Sequence, residues 1–144
     1  MARLLYSVLI YAALPFILLR LWRRGASEPG YRQRIGERFG FHAGFHAARA
    51  QARPLLWVHA VSVGEARGSA PLVRALRAGF PGHDVLLTCT TAAGREALLE
   101  LHGDSAAVAW LPYDLPGAVG RFLDRVRPSL AVVVETEKIG RAHV

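Results

Sequence analysis

The chain has 144 residues, room for one domain of ordinary size, and its 52% apolar and 20% charged content excludes a disordered polypeptide. A single cysteine excludes a disulfide framework and a multi-cysteine zinc or iron–sulfur site. The net charge of +7 belongs to residues 1–53, which carry nine Arg against two acids, whereas residues 54–144 balance nine basic against nine acidic groups. That asymmetry points to a membrane surface or a nucleic acid as neighbour.

The first element is apolar. Leu4 to Leu19 is an uncharged run of sixteen residues, followed by Arg20, Leu21, Trp22, Arg23 and Arg24. A helix of about nineteen residues reaches roughly 28 Å, close to the ~30 Å hydrocarbon core of a bilayer. Arg20 can snorkel, Trp22 suits the interface, and Pro15 kinks such a helix without forbidding it. One Arg precedes the run and three follow it closely. The positive-inside bias therefore favours an uncleaved anchor over a signal peptide, with the C-terminal side in the cytosol. Residues 1–24 are expected to anchor the chain, either across the bilayer or in its cytoplasmic face.

Residues 25–53 form a basic segment. Tyr31, Ile35 and Phe39 lie four apart, sharing one face of a helix, and alternate with Arg32, Arg34 and Arg38. Together with Arg20, Arg23 and Arg24, these arginines are expected to meet anionic lipid headgroups; a solvated juxtamembrane linker is the alternative. No basic groove or aromatic stacking platform continues past residue 53, so nucleic acid is not the expected partner. The Ala-rich residues 42–53 read as a linker, and His42 and His46 lack a third ligand, so no metal site is assigned.

From Pro54 the pattern becomes short apolar runs alternating with helical stretches. Strands are predicted at Leu55–Val61, Asp84–Thr90, Ala106–Trp110 and Leu130–Val134, with helices at Pro71–Phe80, Ala92–Leu101 and Pro116–Val126. Near-continuous apolar strands between helices predict an α/β domain, a Rossmann-like parallel sheet with flanking helices over residues 54–137. Ligands of such sheets sit beyond the carboxyl ends of the strands, so the loops there matter most.

The loop after the first strand lacks the G-x-G-x-x-G dinucleotide fingerprint but contains Ser62-Val63-Gly64-Glu65. Spacing alone favours a capping box, with Ser62 as N-cap and Glu65 reaching back. The functional alternative is a carboxylate held at the mouth of a crevice, where a helix N-terminus favours the ionised form and a general base can act. After the second strand, Thr90, Thr91 and Gly94 open a helix and suit either an anion or sugar site or a simple N-cap. Cys89 reads as a buried strand residue. The turn Leu111-Pro112-Tyr113-Asp114 places Asp114 near an N-cap. After the fourth strand, Glu135 and Glu137 place two carboxylates at the crevice.

The chain has seventeen Arg and one Lys, Lys138, which precedes Ile139-Gly-Arg-Ala-His-Val144. That hexapeptide is what the opening bases of a common sequencing adapter encode in one frame. Residues 138–144 are therefore expected to be an artefact, with the natural protein continuing beyond Glu137.

Several segments together resemble the N-terminal half of bacterial Kdo (3-deoxy-D-manno-octulosonic acid) transferases. They are Leu19-Arg20-Leu21-Trp22, the run from Tyr31 to Gly40, Trp57-Val58-His59-Ala60-Val61-Ser62-Val63-Gly64-Glu65, Pro71 to Leu76, Leu111 to Pro116, and Glu135-Thr136-Glu137. The ordered set is specific where each piece is weak. The resemblance implies a GT-B glycosyltransferase on the cytoplasmic face of the bacterial inner membrane. It would move Kdo from CMP-Kdo to the lipid A precursor, without a metal or other cofactor. In that family the glutamate matching Glu65 is the general base. The resemblance also puts Glu135 and Glu137 in the same site, with CMP-Kdo held mainly by a C-terminal domain; Ser62, Gly64, Thr90, Thr91 and Gly94 are likewise expected against substrate. The 144 residues by themselves are then expected to be inactive. The Lys-Ile-Gly after Glu137 departs from the family pattern. Rival readings are another membrane-associated GT-B transferase acting on a lipid-linked sugar, which acceptor and donor tests distinguish, and a non-enzymatic tethered module.

Overall fold

The computed structural model describes residues 2–42 and 53–135. His46, Glu137 and residues 138–144 lie outside them, as does most of the expected linker. In chain order the elements are helix α1 (Ala2–Ser27), two 3-10 turns (Pro29–Arg32 and Ile35–Phe39), β1 (Leu55–Ala60), α2 (Val63–Gly68), α3 (Ala70–Gly79), β2 (Asp84–Cys89), α4 (Ala92–His102), β3 (Ala107–Trp110), α5 (Pro116–Val126) and β4 (Leu130–Val134).

The four strands form one parallel sheet in the order β3-β2-β1-β4, with Leu55 opposite Asp84, Leu56 opposite Leu130 and Leu86 opposite Ala107. The fold is the predicted α/β architecture. The strands are apolar on both faces because helices cover both. Leu56, Val58, Leu87, Val108 and Trp110 pack with Ala66, Val73, Ala97 and Leu98 on one face. Leu55, Leu86 and Ala109 pack with Phe122 and Val126 of α5 on the other. The strand order reverses between β1 and β4, so the crevice of this sheet lies beyond the carboxyl ends of those two strands.

The N-terminal segment differs from its sequence reading. Residues 29–39 do not form one amphipathic helix. Arg34 is left-handed (φ 51°) and separates two 3-10 turns, and Gly40 (φ 84°) closes the second. A side chain at Gly40 would collide with the Ala118 carbonyl of α5, so only glycine fits both the dihedral and the contact. Tyr31 is buried against Trp110, their rings stacked at 6.0 Å, so the expected stripe faces the domain rather than a lipid surface. His42, expected in a linker, is buried with Nε2 3.2 Å from the Trp110 carbonyl and its ring 5.0 Å from Phe122.

Helix α1 docks by its C-terminal turns and, near its start, by Tyr6. Leu21 is buried, and Arg32 donates to the Trp22 carbonyl (2.8 Å) while lying 4.3 Å over the Trp22 ring. The Tyr6 hydroxyl donates to Asp114. Asp114 therefore holds α1 and caps nothing; the N-cap of α5 is Leu115, with Pro116 at the first helical position. Much of the rest of α1 is apolar and exposed, including Leu5, Leu9, Phe16, Leu19 and Trp22. Among the described residues no helix is long and apolar enough to cross a membrane, and the spanning arrangement of residues 1–24 is not supported.

Candidate functional site

The segment after β1 forms a complete capping box. Ser62 is extended (φ −115°, ψ 170°), its Oγ accepts the Glu65 N–H, and the Glu65 carboxylate returns to the strand end. Glu65 Oε2 accepts from the backbone N–H groups of Val61 (2.8 Å) and Ser62 (2.9 Å). The carboxylate is thus fixed at the carboxyl end of β1, beside the point where the strand order reverses. Gly64 has open space where a side chain would stand, with the nearest atom, Ser62 Oγ, 3.9 Å away.

The loop after β2 braces that corner. The Thr90 and Thr91 hydroxyls donate to the same Val61 carbonyl, at 3.1 and 3.2 Å. Thr91 is also the N-cap of α4, accepting from the Gly94 N–H at 3.1 Å. Gly94 is packed tightly: a Cβ there would lie 2.8 Å from Thr91 Oγ1 and 3.3 Å from the Ser62 carbonyl carbon. Ser62, Glu65, Thr90, Thr91 and Gly94 therefore form one hydrogen-bonded corner. Both threonine hydroxyl protons are committed to Val61, so only oxygen lone pairs remain for a ligand. Glu135 is exposed one residue after β4, whose register sets Val134 opposite Ala60. It stands on the same rim as Glu65, across the reversal of strand order.

Sequence reasoning missed His59. It is buried near the end of β1, with Nδ1 3.1 Å from the Thr88 carbonyl and 2.9 Å from Thr88 Oγ1. A carbonyl oxygen only accepts, so Nδ1 carries the proton in that bond. Trp57 Nε1 donates to the same Thr88 hydroxyl at 2.8 Å. Burial lowers the His59 pKa, partly offset by the Thr88 carbonyl and the Glu65 charge. Each of these two apolar strands carries a polar residue near its carboxyl end, but only the strand register brings His59 opposite Thr88. Cys89 is buried as expected, and burial pushes its thiol up to about 12, so it is an unreactive thiol.

The arginines expected at headgroups divide. Arg20 and Arg23 are exposed on α1. Arg24 pairs with Glu28 (3.5 Å), Arg32 clamps Trp22, and Arg34 pairs with Glu37 (2.7 Å). Arg38 is only 4% exposed and lies 3.9 Å over the Trp110 ring, so it is not displayed to a surface. A cleft of about 570 Å³ is lined by Arg77, His83, Asp84 and Asp104 at the amino ends of β2 and β3, away from Glu65. Among the described residues no group of three His, Cys, Asp or Glu is placed to hold a metal ion.

Residues 33–138 match the family described as 3-Deoxy-D-manno-octulosonic-acid transferase (kdotransferase). The chain is 36% identical over 137 residues to the 3-deoxy-D-manno-octulosonic acid transferase of Haemophilus influenzae, covering 95% of this chain and 31% of that protein. It is 43% identical over 151 aligned positions to the enzyme of the same name from Bordetella pertussis, covering 95% and 32%. To a probable mitochondrial 3-deoxy-D-manno-octulosonic acid transferase of Arabidopsis thaliana it is 31% identical, covering 92% and 29%. The chain thus spans about a third of the length of these relatives. No solved structure matches it significantly. With that profile over most of its length, the chain belongs to the 3-deoxy-D-manno-octulosonic-acid transferase family.

Proposed function

We propose that this chain is the acceptor side of a GT-B glycosyltransferase that moves Kdo from CMP-Kdo to the lipid A precursor, with Glu65 as general base. The observation that carries the reading is the Glu65 carboxylate, fixed by the Val61 and Ser62 N–H groups beside the switch point of the sheet. The chemistry is consistent with one carboxylate. Cytidylate departs as a phosphate anion and needs no proton from an acid, so the remaining proton transfer is removal of the acceptor hydroxyl proton. This differs from a glycosidase, whose two carboxylates share the work.

The neighbouring residues support substrate at this corner. Open space at Gly64 lets a ligand approach the backbone, and Glu135 stands across the strand reversal. Ser62, Thr90, Thr91 and Gly94 act mainly by holding Glu65 and the Val61 carbonyl in place. The apolar exposed face of α1, with Arg20 and Arg23, supports a helix lying in an anionic membrane surface, which brings the corner within reach of a lipid acceptor. The test is a transfer assay with CMP-Kdo and the lipid A precursor. The full-length transferase is expected to form product, and the 144 residues alone are expected to form none. Product from a different activated sugar but not from CMP-Kdo would refute the donor assignment.

A further inference from the structure

The two edges of the sheet differ. The β3 edge is sealed by the segment that precedes the sheet. Glu37 Oε2 accepts the Trp110 N–H (2.9 Å), the Trp110 indole donates to the Gln33 carbonyl (2.9 Å), and the Tyr113 N–H donates to the Arg38 carbonyl (2.8 Å). A buried carboxylate and the two 3-10 turns thus stand where another strand would add. Helix α1 lies on that side too, through Tyr6 and Asp114.

The β4 edge has no such cover. Among the described residues β4 pairs only with β1. Its five residues, Leu130-Ala-Val-Val-Val134, include no charge, proline or glycine, the devices that normally blunt an edge. Leu130 is 43% and Val133 63% exposed, whereas β1, β2 and β3 are almost wholly buried. The composition is that of a strand covered on both faces, and the surroundings are those of an edge. Such a strand turns alternate N–H and C=O groups outward and templates the addition of another strand. The flanking charges select what adds. Arg127 precedes β4 and Glu135 follows it, both exposed. A second copy running antiparallel, with the two-fold axis at Ala131, sets Leu130 opposite the partner's Val132 and brings Arg127 beside the partner's Glu135. Parallel addition in register would set like charges together.

We propose that the outer edge of β4 is a dimerisation surface: two copies of the 144-residue chain join β4 to β4, antiparallel, into one eight-stranded sheet. The strand pairing supplies main-chain hydrogen bonds, Leu130 and Val133 lose exposed apolar surface, and two Arg127–Glu135 pairs fix the direction. A two-fold contact uses the same edge on both copies, so assembly closes at the dimer and does not grow into a fibre. The sealed β3 edge prevents a second addition. This pairing is independent of the transfer reaction.

The test is sedimentation equilibrium of the 144-residue chain in a density-matched mild detergent, which occupies the apolar face of α1. The protein mass should rise from 15.7 kDa toward twice that value and no further. The rise should fall between about 1 and 100 μM, the range suited to a small interface. Val133→Lys places a charge on the open edge and should weaken the dimer at least about tenfold, with the thermal melt unchanged because Val133 is exposed. Glu135→Arg should weaken it severalfold, and adding Arg127→Glu to that variant should restore it, as expected for an exposed ion pair. Ala131→Cys should form a disulfide between copies, since antiparallel partners at the axis lie about 4.5–5.5 Å apart; the buried Cys89 does not compete. A chain that stays monomeric throughout would overturn the proposal and leave this edge to the polypeptide that follows in the longer relatives. Association unmoved by both Val133→Lys and Glu135→Arg would overturn it as well, assigning the contact to α1.

Discussion

Replacing Glu65 by Ala and by Gln separates its structural role from its proposed chemical one. In the native corner Oε2 accepts two backbone N–H groups, from Val61 and Ser62. Gln keeps an acceptor oxygen at the same reach and loses only the charge. A carboxylate at a helix N-terminus is worth about 0.3–1 kcal/mol, so Glu65→Gln should cost no more than about 1 kcal/mol. Ala removes the acceptor from both N–H groups. Each such bond contributes about 0.5–1.5 kcal/mol net, the lower end applying to Val61, which is exposed to water. Glu65→Ala should therefore cost about 1–2 kcal/mol. For a chain of this size 1 kcal/mol moves the melting midpoint by about 4 °C. The midpoints, read by circular dichroism, should rank wild type above Gln above Ala, with Ala about 4–8 °C below wild type. Equal midpoints for Gln and Ala, or no loss in Ala, would refute the capping account.

Further predictions follow from packing and charge. At Gly94→Ala the new methyl meets Thr91 Oγ1 at 2.8 Å and the Ser62 backbone at 3.3 Å, so a loss of about 1–3 kcal/mol in denaturant unfolding is expected. Gly64→Ala meets nothing closer than 3.9 Å and should leave the fold as stable or up to about 1 kcal/mol more stable; a loss there would contradict the open space at Gly64. His59 and His102 are both buried with pKa values lowered by burial, and Arg74 and Arg77 lower that of His102 further. Below about pH 6.5 the unfolded chain takes up protons that the folded chain resists. Stability is therefore complete above that pH and falls as the pH drops, by at most about 1.4 kcal/mol per pH unit per histidine. Unfolding midpoints at pH 7.5 and 5.5 should show the fall, with a shallower slope in His102→Gln; a rise toward pH 5.5 would refute it.

The sheet was legible because buried parallel strands are nearly continuous apolar runs, and Leu55–Ala60, Asp84–Cys89 and Leu130–Val134 stand out as such. The corner was legible because a capping box is a local pattern, and Ser62 and Glu65 form it three residues apart. What depended on distant partners was not legible. Tyr31, Ile35 and Phe39 have helical spacing, but Trp110 draws Tyr31 inward and its indole N–H donates to the Gln33 carbonyl, 77 positions away in sequence. Arg38 reads as a surface cation until that indole lies beneath it. His59 is meaningful only once the register sets it opposite Thr88.

The most direct measurement is the rate of Kdo transfer from CMP-Kdo to the lipid A precursor by the full-length transferase carrying Glu65→Gln. The account predicts a kcat lower by about 100- to 10,000-fold, the usual contribution of a positioned base, with the melting midpoint lowered by only a few degrees. A kcat within severalfold of wild type would leave Glu65 as a helix cap and contradict its role as the base.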